Sequence, residues 1–184
     1  MENKQPIVST KSGKVEGSLE GGLYVFKGIP YAAPPVGDLR WIPPQPVKPW
    51  KDVRSAKEFG PIAPQNTMPG GFMIQVPQPQ SEDCLFLNVW TPGLDNAKHP
   101  VMVWIHGGAF IMGSGSDPMY DSDKLIKRGN IVLVSINYRL GMLGFLRLKD
   151  VTGGEIPATG NEGLLDQTLA LKWVKDNISA FGGD

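Results

Sequence analysis

Val101-Met102-Val103-Trp104-Ile105-His106-Gly107-Gly108-Ala109-Phe110 is the stretch that decides how the rest of this 184-residue sequence is read. Its first five residues are a continuous apolar run of β-formers, the pattern of a strand buried on both faces. A second such run, Ile131-Val-Leu-Val-Ser-Ile136, lies downstream. Between them, Ser122-Asp-Lys-Leu-Ile-Lys-Arg128 opens on a polar N-cap, Ser122, closes on basic residues and is followed by Gly129, which predicts a short crossover helix. Strand, helix and strand in that order give a parallel βαβ unit.

Outward from that unit, Leu85-Phe-Leu-Asn-Val-Trp90 is a third strand, ended by Thr91-Pro92. The opening residues 8–17 alternate around Ser12-Gly13 and read as a hairpin, and Leu23-Tyr-Val-Phe26 reads as a strand. Two Pro-rich loops follow, 28–49 and 60–81. A segment as long as the second is usually functional when it is ordered; its Met68, Phe72, Met73 and Ile74 fit an apolar wall or plain surface packing. At the far end, residues 161–178 place Leu164, Leu165, Leu169, Leu171, Trp173, Val174 and Ile178 on one broad helical face. Asn161 is the expected N-cap and Gly182-Gly183 follow the helix.

Eighteen basic residues balance eighteen acidic ones, so no net field draws in nucleic acid or an anionic membrane. No apolar run reaches membrane-spanning length, and Met1-Glu2-Asn3-Lys4-Gln5 lacks the apolar core of a secretory signal. A lone cysteine, Cys84, has no partner for an internal disulfide, which fits a reducing, cytoplasmic setting. No metal-ligand spacing is present and no cofactor is implied.

The chemistry-bearing element is the bend after Ile105. Consecutive glycines leave main-chain N–H groups unhindered, able to converge on an anion or on the charge that develops on a carbonyl oxygen during acyl transfer. Spacing alone equally allows a tight strand-to-loop turn that merely needs glycine. A phosphate cradle fits less well, because Gly113-Ser-Gly115-Ser is not followed by Lys-Ser/Thr or a helix start.

With those residues on view, the chain closely resembles the type-B carboxylesterases, the group that includes the cholinesterases. Ser81-Glu-Asp-Cys-Leu-Phe-Leu-Asn-Val-Trp90 is similar to that family's signature strand. Phe26-Lys-Gly-Ile-Pro-Tyr-Ala32, Pro34-Pro-Val-Gly37, Leu39-Arg-Trp41, Asn137-Tyr-Arg-Leu-Gly141 and Gly160-Asn-Glu-Gly-Leu-Leu-Asp-Gln167 match further segments in the family's order. The resemblance implies an α/β-hydrolase fold, of which this would be the N-terminal part of a mixed, mostly parallel central sheet with an N-terminal hairpin and crossover helices. It implies that the amides of Gly108 and Ala109 donate to an oxyanion while Gly107 shapes the turn, and that His106 packs beneath the loop without acting as base. It suggests the ion pairs Arg40–Glu82 and Arg139–Asp166, and a free, packed Cys84 with Ala63 standing where a disulfide partner is common. His99 is expected at the surface. Asn177-Ile-Ser179 is a glycosylation sequon by pattern only, expected to be idle.

No Gly-x-Ser-x-Gly occurs in these residues. The family's chain order of serine, acid and histidine puts all three beyond Asp184. The expectation is therefore that residues 1–184 are the N-terminal segment of one catalytic domain, ending before the nucleophile elbow. Alone they would be inactive; with their C-terminal remainder they would act on small-molecule esters. A non-catalytic, cholinesterase-like adhesion protein and an inactive truncated product are the alternative readings.

Overall fold

The computed structural model describes residues 5–66, 78–117 and 123–184. The expected N-cap Ser122 and the expected apolar wall of Met68, Phe72, Met73 and Ile74 lie outside the described residues.

Alternation around Ser12-Gly13 gives the expected hairpin: β1 (Ile7–Ser9) pairs antiparallel with β2 (Lys14–Glu16), and β5 (Arg54–Ser55) adds a parallel third strand. A second hairpin went unread in the sequence. β3 (Ser18–Glu20) and β4 (Leu23–Pro30) are joined by Gly21-Gly22, both at positive φ (56° and 84°), as a two-residue hairpin turn requires. β4 runs four residues past the expected end at Phe26. It carries an irregularity between Phe26 and Ile29, where Gly28 sits at φ 67° and its N–H donates to Asn88 Oδ1.

The main sheet has the order β3-β4-β6-β8-β7, with β6 at Phe86–Thr91, β7 at Val101–Ile105 and β8 at Val132–Ile136. It is mixed, as expected, but among the described strands its parallel part is confined to the β7–β8 pair; the other pairings are antiparallel. Helix α1 (Asp123–Gly129) is the crossover between β7 and β8. It sets Ile126 against Leu23, Val25 and Leu133 on one face of the sheet. The opposite face is covered by α3 (Glu162–Asn177) and the turn Ile178–Phe181, whose Trp173, Val174, Ile178 and Phe181 pack on Phe26, Leu87, Val89, Val134 and Ile136. Phe26 and Phe181 meet edge-on at 5.0 Å. Helices on both faces of a sheet make the three-layer α/β architecture.

Two expectations need correction. β8 is buried throughout, but β7 is not: Met102 (42%), Trp104 (39%) and Ile105 (37%) remain exposed. Among the described strands β7 lies at the end of the sheet, with β8 its only paired neighbour, so its apolar residues lack cover on one flank. In α3, Leu164, Leu165 and Leu171 point outward while Glu162, Asp166 and Asn177 are buried. The helix is turned by what its polar groups bind. Asp166 reaches Arg139, and the Glu162 carboxylate accepts N–H bonds from Thr159 (2.8 Å) and Gly160 (3.0 Å) at the helix start. Asn161 occupies the N-cap position but makes no side-chain cap bond; Glu162 closes the end instead.

Candidate functional site

Strand β7 delivers the chain into a bend at Gly107–Phe110. Gly108 (φ 112°), Ala109 (φ 52°) and Phe110 (φ 61°) all have positive φ. For the two non-glycine residues that geometry costs about 1–2 kcal/mol each, so the surroundings must hold it. Phe110 O accepts the N–H of Gly141 (2.7 Å) at the start of α2 (Gly141–Phe145), and its ring packs on Phe145 at 4.9 Å. Gly108 has no room for a side chain: an added Cβ would lie 2.1 Å from Met112 O.

The carbonyls of the bend are committed. His106 O accepts the Tyr138 hydroxyl (2.9 Å), Gly107 O accepts His106 Nδ1–H (2.8 Å), and Gly108 O accepts the N–H groups of Ile111 (3.0 Å) and Met112 (3.2 Å). The amides are not. Among the described residues, the main-chain N–H groups of Gly107, Gly108 and Ala109 donate to nothing. Gly107 adds a second observation: no atom lies within 4 Å of a Cβ placed there and its φ is not positive, so nothing in the described chain demands glycine. Open space over unpartnered amides is what close approach of a ligand requires.

His106 lies beneath the bend, buried, stacked on Tyr138 at 4.5 Å with 15° between the rings. Burial pulls its pKa below the ordinary histidine value, opposed by the bond to Gly107 O and by Asp117. The ring is therefore neutral near pH 7, with its proton on Nδ1, and adds no charge to the site. Tyr138 was not picked out by sequence reasoning. Its signal lay in the parallel register: Ile105 pairs with Ile136, so the residues just past each strand end are neighbours.

Both expected ion pairs form. Arg40 donates from Nε (2.6 Å) and Nη2 (2.8 Å) to Glu82 at the surface. Arg139 and Asp166 are buried, and Asp166 accepts from the Arg139 main-chain N–H, Nε and Nη2. Burial pushes the Asp166 carboxyl above its ordinary pKa, and the guanidinium opposes that rise. Cys84 is a free, buried thiol with its pKa raised by burial, which suits packing and not attack. Asn177 is buried, its amide donating to Trp173 O and accepting from Lys11 N–H, so the sequon asparagine is occupied. His99 departs from expectation: it is buried, its Nδ1 lies 3.2 Å from Asn130 O, and its main chain pairs with Gly182 and Asp184.

A cavity of about 630 Å³ lies elsewhere, on the α1 side of the sheet, lined by Trp90, Met102, Trp104, Leu125 and Leu133 with Asp117 and Asp123. It does not include the bend, and it coincides with the uncovered flank of β7. Among the described residues no cluster of three or more His, Cys, Asp or Glu is arranged to hold a metal, and no helix is long and apolar enough to cross a membrane.

A mixed sheet layered by helices on both faces, with a glycine bend after a parallel strand, fits the α/β-hydrolase architecture. A solved carboxylesterase from Geobacillus stearothermophilus superimposes with a TM-score of 0.88 at 49% identity, over 97% of this chain and 35% of that one. The carboxylesterase family model matches residues 4–184, and the chain belongs to that family. It is 50% identical over 179 residues to the para-nitrobenzyl esterase of Bacillus subtilis (strain 168), covering 97% of this chain and 36% of that protein. It is 51% identical over 183 residues to the phenmedipham hydrolase of Pseudarthrobacter oxydans, covering 98% and 36%. The chain thus spans little more than a third of the length of these relatives.

Proposed function

We propose that the intact protein hydrolyses carboxylic esters by a serine acyl-enzyme mechanism, and that this chain supplies its oxyanion loop. The observation that carries the reading is the asymmetry of the bend: its carbonyls at 106, 107 and 108 are all engaged, while the amides of Gly107, Gly108 and Ala109 have no partner among the described residues. Gly108 and Ala109 donate to the oxygen that gains charge, and Gly107 keeps the approach open. Pre-set donors of this kind stabilise the transition state without reorganising during the reaction. The nucleophile, acid and base belong to the remainder of the enzyme, beyond Asp184, and residues 1–184 alone are inactive. Small-molecule esters with an aryl or small alcohol portion are the substrate class, in keeping with a para-nitrobenzyl esterase among the relatives. No cofactor takes part, and the free thiol at Cys84 suits the cytoplasm.

The test uses the intact enzyme with p-nitrophenyl acetate and a fluorophosphonate. Turnover with stoichiometric inactivation is expected, and its absence overturns the reading. Ala109→Pro would remove the donor, but at φ 52° proline also rebuilds the turn. Replacing the amide that precedes Ala109 with an ester by semisynthesis is cleaner. It should lower kcat by about 10²–10³; an unchanged kcat removes that amide from the mechanism.

A further inference from the structure

Gly113 lies at φ 108°, and a Cβ added to it would be 2.5 Å from both Gly107 O and His106 Nδ1. Its backbone is therefore packed directly against the two atoms that lock the inner side of the bend. Whatever fixes Gly113 fixes His106 and Gly107. A side chain from a remote part of the sequence does this. Gln65 Oε1 accepts the Gly113 N–H (2.7 Å), and Gln65 Nε2 donates to Gly113 O (3.0 Å) and to Ala63 O (3.0 Å). One side-chain amide thus meets both peptide groups of Gly113, as a neighbouring strand would.

The grip is braced from behind. Gln65 N–H donates to Gln80 Oε1 (2.8 Å), Ile62 N–H to Pro79 O (2.9 Å), and Ser81 N–H to Ile62 O (3.0 Å). A second glutamine holds the next residues: Gln78 Nε2 donates to Ser114 Oγ (3.3 Å), and Gln78 Oε1 accepts the hydroxyl of Ser116. Both serines are buried.

We propose that Gln65 is a positioning residue for the oxyanion donors: its amide fixes Gly113, and Gly113 fixes the His106–Gly107 pair behind the amides of Gly108 and Ala109. The claim rests on the ester-hydrolase reading above. Small displacements of a reacting geometry cost heavily in rate, so the effect falls on the chemical step more than on binding.

The experiment compares wild type, Gln65→Met, Gln65→Glu and the remote hairpin variant Thr10→Ala, all in the intact enzyme. Measured are kcat and KM for p-nitrophenyl acetate, inhibition by a trifluoromethyl ketone that forms a tetrahedral adduct, and Tm. Methionine keeps the length and loses all three side-chain hydrogen bonds; kcat should fall about tenfold or more, ketone affinity should fall with it, and KM should barely move. Glutamic acid mimics the amide only when protonated, so the kcat of Gln65→Glu relative to wild type should rise as pH falls. Full kcat and unchanged ketone affinity in Gln65→Met overturn the proposal, as does a loss that Thr10→Ala shares in proportion to its Tm. If Gln65→Met does not fold, a Gln65→Glu ratio that is flat with pH overturns it. A wild type with no ester turnover overturns the ester-hydrolase reading itself.

Discussion

Replacing Asp166 by Asn is the sharpest test of how α3 is held to the end of β8. Arg139 and Asp166 are 2% and 0% exposed, and three of the bonds that secure the strand end converge on one carboxylate: main-chain N–H (3.0 Å), Nε (2.8 Å) and Nη2 (2.8 Å). The fourth bond of the arginine goes to Ile42 O (2.9 Å). Asparagine keeps one acceptor oxygen, turns an NH₂ toward a guanidinium that is itself all donors, and removes the compensating charge. Breaking a buried pair in this way costs about 3–5 kcal/mol, a large share of the 5–15 kcal/mol by which folded domains are typically stable. Equilibrium urea unfolding of the intact enzyme, followed by tryptophan fluorescence, measures it. The double variant Arg139→Met, Asp166→Leu should recover most of the loss, since it buries no charge. Glu82→Gln is the control. The Arg40–Glu82 bridge is equally bidentate but solvated, so its midpoint should hardly move. If Asp166→Asn proves as mild as Glu82→Gln, burial is not what gives the inner bridge its weight.

Gly107→Ala meets no atom within 4 Å and should melt like wild type while, on the proposed reading that an ester fills this space, losing turnover in the intact enzyme; Gly108→Ala should lower both Tm and turnover through its clash with Met112 O. Equal melting and equal turnover for Gly107→Ala would show that the space is idle. Burial lowers the pKa of His106, so the folded state binds fewer protons there than the unfolded state. Its contribution to stability is complete above the unfolded value of 6.5 and is lost as pH falls below that toward the folded value. The wild-type urea midpoint should therefore fall relative to that of His106→Phe as pH drops through that window; a constant difference refutes the assignment. Residues 1–184 produced alone should associate through the apolar flank of β7, a liability of any long uncovered edge, and a monodisperse monomer by light scattering would contradict this.

What was legible in the sequence was whatever depended on runs and breaks. β6, β7, β8 and the crossover helix are written in consecutive β-formers, a basic helix end and Gly129, and the bend is written in Gly107-Gly108. Gly107, Gly108 and Ala109 stood out because glycine after a strand is a local signal, and they share one bend whose amides have no partner among the described residues. What escaped depended on partners distant in the chain. β3 is short and, among the described strands, lies at the other end of the sheet, so Ser18-Leu19-Glu20 offers one apolar residue and no run to read. α3 was oriented by its leucines, whereas Asp166 and Glu162 decide which side faces inward. His99 looks like a linker residue until Gly182 and Asp184 pair with it. Gln65 carries no sequence signal, since any glutamine in a Pro-rich loop looks solvated until Gly113 is seen beneath it.

On the proposed ester-hydrolase reading, the neutral ring of His106 has a consequence for the end of the catalytic cycle. An ester hydrolase leaves behind a carboxylate, and unpartnered amides placed to favour a transient oxyanion would favour that product as well. A protonated imidazole under the bend would add a full positive charge and retain the acid. With unpartnered peptide amides and no such charge, the pull on the spent acid should be short-ranged, and that acid should be a weak competitor of fresh substrate.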